Sequence, residues 1–220
     1  MSYSVGKAIR EINSNKISHS YFLSGNDYFL QNFFIKRLAL KLNDISSPKY
    51  LNFEEENDRN LLLNELENLS LFSNKGLYVI RNFNKISPNL KNTIIEYISK
   101  PNSDNIIIFV SDDFYSKNKF LSSISSQSLG VDTRTPFPNK IREWTRYYLK
   151  TQKIKIDYSF LDDIIYTNND EIITIINEVE KLYLENGCDE IKFNEDNHSL
   201  NSNKNIRPWF LQDSLGNKNT

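Results

Sequence analysis

Two places in this 220-residue chain carry residue types from which chemistry could be built. The first is the turn Ser24-Gly25-Asn26-Asp27, which follows the apolar run Tyr21-Phe22-Leu23 and precedes a helical pattern. A strand–turn–helix junction cradles phosphates when glycine amides line it, a lysine reaches the phosphates and a Ser or Thr holds magnesium. Gly25 is the lone glycine of this turn, no lysine stands at the required spacing, and Asp27 would repel a phosphate. Gly25 therefore reads as a turn glycine. The second place is Ser111-Asp112-Asp113, after the strongest apolar run of the chain. Paired carboxylates there could hold a metal, although such pairs are more often solvated loop or cap residues. The run ending at Ile80 leads into Arg81-Asn82 and not into an Asp-Glu pair. His19 and His198 match no ligand spacing, and Cys188 has no close histidine and reads as a packing or surface thiol. The expectation is a chain without a catalytic, metal or cofactor site of its own.

Recognition chemistry stands out more clearly. Ser70, Leu71 and Phe72 lie between a helical run, Asp58 to Asn68, and the short apolar run Leu77-Tyr-Val-Ile80. Junctions of this kind are usually polar turns. An exposed Leu-Phe pair would need a partner surface; a pair that closes the apolar face of the preceding helix would need none, and large apolar residues are more often core. Spacing alone leaves both readings open.

The elements that must position these residues alternate. Val5, Ile9 and Ile12 mark an opening helix, and Tyr21–Leu23 a first strand. Asn26 or Asp27 can cap the helix whose buried face carries Leu30, Phe34 and Leu38. Tyr50–Phe53 is a second strand, the run carrying Leu62, Leu66 and Leu69 a helix, and Leu77–Ile80 a third strand. Ser87-Pro88 opens a helix with Leu90, Ile94 and Ile98 inside. Asn105–Val110 and Leu129–Val131 complete the strands, and the alternation predicts a parallel α/β sheet. After Phe137-Pro138 the pattern is helical throughout. Ile141, Trp144 and Tyr148 share one helix; Phe160, Leu161, Ile164 and Ile165 a second; Ile172, Ile173, Ile176, Val179 and Leu182 a third, with Gly187 as its stop. The predicted divisions are an α/β domain over 1–138, a three-helix lid over 139–188, a polar linker over 189–205 and an incomplete element over 206–220, where Trp209, Phe210, Leu211 and Leu215 restore an apolar signal.

With 27 basic and 28 acidic residues, a net charge of −1 gives no global reason to seek nucleic acid or an anionic membrane. One cysteine excludes an intramolecular disulfide and fits a reducing cytoplasm. No apolar run is long enough to span a membrane, and no signal-peptide pattern opens the chain. A local basic group, Lys140, Arg142, Arg146, Lys150, Lys153 and Lys155, interleaves with Trp144, Tyr147 and Tyr148. Helical spacing favours core aromatics beneath a solvated charged face, with weak phosphate-backbone contact as the alternative role.

Four segments together resemble the delta subunit of the bacterial DNA polymerase III clamp loader. They are Tyr21-Phe-Leu-Ser-Gly-Asn-Asp-Tyr-Phe-Leu30, Ser70-Leu-Phe-Ser-Asn-Lys-Gly-Leu-Tyr-Val-Ile-Arg81, Asn105-Ile-Ile-Ile-Phe-Val110 and Asn177-Glu-Val-Glu-Lys-Leu-Tyr183. Their order spans most of the first 183 residues. The Ser-Arg-Cys tripeptide of the motor and delta-prime subunits is missing. The resemblance implies an AAA+-like (P-loop NTPase-type) parallel sheet domain lacking a functional phosphate loop, then a three-helix lid. It also implies a helical collar, of which residues 206–220 look like the first helix only, so that the chain is expected to be truncated there. By the same resemblance Leu71 and Phe72, with Ser70, form a hydrophobic wedge that binds and opens the beta sliding clamp. The implied partners are that clamp, the gamma/tau and delta-prime subunits, and primed DNA through the assembled complex. The implied setting is a nucleotidyltransferase holoenzyme in the cytoplasm, with ATP used by other subunits. A stand-alone AAA+-like interaction or DNA-binding module without ATPase activity is the competing reading.

Overall fold

Short runs of β-branched and aromatic residues, apolar at every position, can satisfy their backbones only inside a sheet covered on both faces. Residues 106–110 form such a run, within a strand, Asn105–Ser111, that is buried along its whole length. In the computed structural model, residues 2–42, 47–67, 76–83, 86–101, 105–114, 118–168, 171–187 and 190–191 are described. They belong to two units, Met1–Thr135 and Pro136–Thr220.

In the first unit, elements follow as β1 (Ser2–Ser4), α1 (Val5–Asn13), β2 (Ser20–Ser24), α2 (Tyr28–Lys41), β3 (Lys49–Asn52), α3 (Glu56–Glu67), β4 (Gly76–Arg81), α4 (Pro88–Ser99), β5 (Asn105–Ser111), α5 (Lys119–Gln127) and β6 (Leu129–Asp132). The strand order is β1-β6-β2-β5-β4-β3, and every neighbouring pair is parallel. Successive side chains of β2 part to opposite faces. The Phe22 side chain joins the core formed with Leu90, Ile94 and Ile98 of α4 and with Phe120, Leu121 and Ile124 of α5. The Tyr21 ring meets Phe34 of α2 edge-on at 5.2 Å. Helices thus cover both faces, as a fully parallel sheet requires.

Caps fix where these helices begin. The Asp27 carboxylate accepts from the Leu30 amide at 3.0 Å and opens α2. Ser87 caps α4 with Pro88 in its first turn, where the missing N–H costs nothing. The short edge strand β1, with Ser2 and Ser4 exposed and Tyr3 partly buried, is too short to be foreseen from the sequence.

The second unit contains α6 (Pro138–Gln152), α7 (Tyr158–Thr167) and α8 (Ile172–Glu185), three mutually packed helices. Ile141, Tyr148 and Leu149 of α6, Phe160, Leu161, Ile164 and Ile165 of α7, and Ile172, Ile175, Ile176, Val179 and Leu182 of α8 are buried. Ile173, assigned to the inner face from the sequence, is instead 46% exposed, and Ile175 takes the buried position. Four isoleucines within five positions cannot be phased by hydrophobicity alone. Trp144 is half-buried, edge-on against Tyr147 at 5.6 Å. No helix among the described residues is long and apolar enough to cross a membrane.

Candidate functional site

In an open parallel sheet the default ligand site is the crevice outside the carboxyl ends of the strands, where the strand order reverses. Here the chain leaves β2 toward β3 on one side, and leaves β5 toward β6 on the other. The ends of β2 and β5, Ser24 and Ser111, are register partners at that point. This is where a phosphate would be bound.

Two backbone amides that would help cradle it are already committed, those of Gly25 and Asp27. The Gly25 amide donates to the Ser111 carbonyl at 3.0 Å, and the Asp27 amide to the Thr133 carbonyl at 3.0 Å. Thr133 in turn donates its amide to the Ser24 carbonyl at 2.8 Å and its hydroxyl to the Gly25 carbonyl at 3.3 Å. Gly25 adopts φ +134°, and a Cβ there would lie 2.2 Å from the Arg134 amide nitrogen. The turn is pressed against the chain that follows β6, with no side chain's width between them.

The helix N-terminus behind the turn is occupied as well. The Asp27 carboxylate accepts from the Leu30 and Phe29 amides and from Thr135, and burial pushes its pKa up. A fixed carboxylate takes the position in which a helix N-terminus would attract a bound anion. The sequence-based expectation that Asp27 disfavours phosphate thus has a local geometry.

The remaining polar groups form one network. Gln31, fully buried on α2, donates through Nε2 to the Gly25 carbonyl at 2.7 Å and to Asp112 Oδ1 at 3.1 Å. Its Oε1 accepts from Arg81 Nη2 at 2.6 Å. Arg81 Nη1 lies 3.6 Å from Asp112 Oδ1, and the Tyr28 hydroxyl donates to Asp112 Oδ2 at 3.1 Å. The carboxylate of Asp112 is thus engaged by Arg81, Gln31 and Tyr28, and the Asp113 carbonyl accepts from Ser111 Oγ at 3.1 Å. Among the described residues no group of three or more His, Cys, Asp or Glu is gathered to hold a metal. Sequence reasoning missed Gln31 and Arg81. Gln31 carried a signal, since it falls in helical phase with the buried Phe34 and Leu38.

Gln31 tests the network directly. Its replacement by Leu keeps volume but removes the partner of Arg81 Nη2 and leaves Asp112 Oδ1 with Arg81 Nη1 at 3.6 Å. The expected loss is about 1–3 kcal/mol of unfolding free energy, read as a lower urea midpoint at unchanged slope. A midpoint equal to wild type would show that the network contributes nothing to stability.

The sequence-predicted recognition residues Ser70, Leu71 and Phe72 lie outside the described residues. Their flanks are described: α3 ends at Glu67 and β4 begins at Gly76. The Gly76 amide donates to Asn105 Oδ1 at 3.1 Å, at the amino ends of β4 and β5. That edge of the sheet is opposite the closed crevice.

Comparison with known proteins brings these features together. The family model described as "DNA polymerase III, delta subunit" matches residues 21–132, just over half of the chain. No curated protein sequence matches. Among solved structures, the Bacillus subtilis DNA clamp loader delta protein (YqeN) superposes with a TM-score of 0.63 at 14% identity, covering 91% of this chain and 63% of that one. The Thermotoga maritima RuvB Holliday junction branch migration motor gives 0.54 at 10% identity over 90% of this chain and 67% of that one. Domain III of the Thermotoga maritima replication initiation protein DnaA gives 0.52 at 13% identity over 93% of this chain and 91% of that one. At these identities the structures establish the fold, an AAA+-like parallel α/β domain followed by helices. The chain spans less than two thirds of the length of the Bacillus subtilis protein.

Proposed function

Since the chain belongs to the DNA polymerase III delta subunit family, we propose that it binds and opens the sliding clamp for loading onto primed DNA, using Ser70, Leu71 and Phe72 as the wedge. One observation carries this reading: the family match covers residues 21–132, a span that includes the wedge positions and both elements that flank them. The closed crevice supports it. A turn whose Gly25 and Asp27 amides, and whose helix N-terminus, are committed to its own chain disfavours a nucleotide's phosphates; in this reading the subunit contributes binding energy and ATP acts in other subunits. Binding opens a ring only if the bound contacts favour the sprung ring over the closed one.

In this reading residues 139–188 are the lid, 189–205 the linker and 206–220 the first helix of the collar that would meet the gamma/tau and delta-prime subunits. The chain is then a subunit of a nucleotidyltransferase holoenzyme without a catalytic centre of its own.

The test of opening is clamp release. Rings of the same organism's clamp, preloaded on nicked circular DNA, are expected to come off when this chain is added in excess without ATP. Rings that stay on the DNA although the chain is bound to them would overturn the opening role while leaving the binding role intact.

A further inference from the structure

Charge in the second unit is segregated by helix. Residues 138–155 hold six cations, Lys140, Arg142, Arg146, Lys150, Lys153 and Lys155, against Glu143 alone, whereas residues 157–185 hold eight carboxylates against Lys181 alone. A merely solvated surface mixes signs, and this one does not. From the cationic segment and this segregation we infer that the exposed face of α6 is a track for the phosphate backbone of DNA.

The geometry follows from spacing. Arg142, Arg146, Lys150 and Lys153 are all exposed; the first three recur every four residues and line one stripe of α6, and Lys153 follows at its C-cap, in the left-handed conformation at φ +59°. Arg142 is held by Asp162 at 2.8 Å. Arg146, Lys150 and Lys153 enter no ion pair among the described residues. Arg146 instead lies 4.4 Å over the ring of Tyr158, which is itself 63% exposed, so the guanidinium is fixed at the surface without being neutralised. A helix macrodipole accounts for cations in the last turn, and hence for Lys150 and Lys153 alone; it gives no reason for Arg146 a turn earlier. Arg146 and Lys150 lie about 6 Å apart along the axis and Lys153 follows at the helix end, three cations in succession for roughly three phosphates of one DNA strand. Beneath the stripe, Ile141, Tyr148 and Leu149 are buried in the three-helix core. The charges are therefore carried on a rigid element, which lowers the entropy lost on binding.

This inference is independent of the clamp wedge, which lies in the first unit, and its test uses DNA alone. Binding of the full chain to a fluorescein-labelled duplex is followed by anisotropy across a salt series. Neutralising about three phosphates predicts a slope of log affinity against log salt near −2.7, or about a 40-fold loss between 50 and 200 mM salt. For Lys150→Gln/Lys153→Gln the slope falls to about −1 and the loss to about threefold, with an unchanged melting temperature. Lys181→Gln, on α8, is expected to bind as wild type does. A double variant with the wild-type slope and affinity would overturn the inference, and so would a folded wild type without salt-dependent binding. If the double variant loses affinity for an acidic protein but not for DNA, the stripe serves that other polyanion and the DNA assignment fails.

Discussion

Gly25→Ala is expected to destabilise the first unit by about 3–5 kcal/mol, near the upper end of what single substitutions cost. Two effects act together. The residue sits at φ +134°, a backbone conformation that side-chain-bearing residues rarely adopt. Its new methyl group would also lie 2.2 Å from the Arg134 nitrogen and 2.3 Å from the Thr133 carbonyl carbon. Both obstacles are backbone, so no rotamer change can relieve them. Separating the two segments would break the Asp27-to-Thr133 and Thr133-to-Ser24 hydrogen bonds that join the turn to the end of β6. Gly187→Ala provides the control. Gly187 also has positive φ, +67°, but nothing within 4 Å of its Cβ position. Only the conformational term of about 1–2 kcal/mol applies there. Urea unfolding of the two variants separates the effects: equal losses would show that the close approach at Gly25 carries no energy.

The second large effect concerns the wedge. Burying Leu71 and Phe72 against a partner contributes roughly 1.5–3 kcal/mol per side chain. Truncating both to Ala is then expected to weaken clamp binding by about two to four decades. Side chains that anchor an interface in this way cluster their energy in a few positions. The same pair, were it core, would lower the unfolding midpoint and leave any surface activity proportional to the folded fraction. The two roles therefore make opposite demands on a stability measurement.

The parts of the fold that were legible in the sequence are those where a local pattern dictates the outcome. Asn105–Ser111 declares a buried strand because seven residues carry no charge and five of them are apolar. Asp27 and Ser87 declare helix starts because their side chains accept from amides three residues on. The edge strand β1 was not legible, since the three residues Ser2-Tyr-Ser4 are too few to establish a period and its structure comes from pairing with β6 far along the chain. The phase of α8 was ambiguous because its first turn is nearly all isoleucine. At the crevice, the sequence revealed the missing phosphate-binding parts but not what replaced them. Gln31, Arg81 and Asp112 come from α2, β4 and the turn after β5, and no spacing links residues brought together only by strand order. The closure is tertiary, and so it had to be seen.

The central claim is that the segment between α3 and β4 binds the sliding clamp. Its most direct test is titration of the same organism's clamp with the full chain, wild type against Leu71→Ala/Phe72→Ala, with circular dichroism and urea unfolding on both. The account predicts saturable binding by the wild type, lost in the double variant at unchanged ellipticity and unfolding midpoint. A well-folded wild type that fails to bind, or a variant that binds equally well, would contradict it.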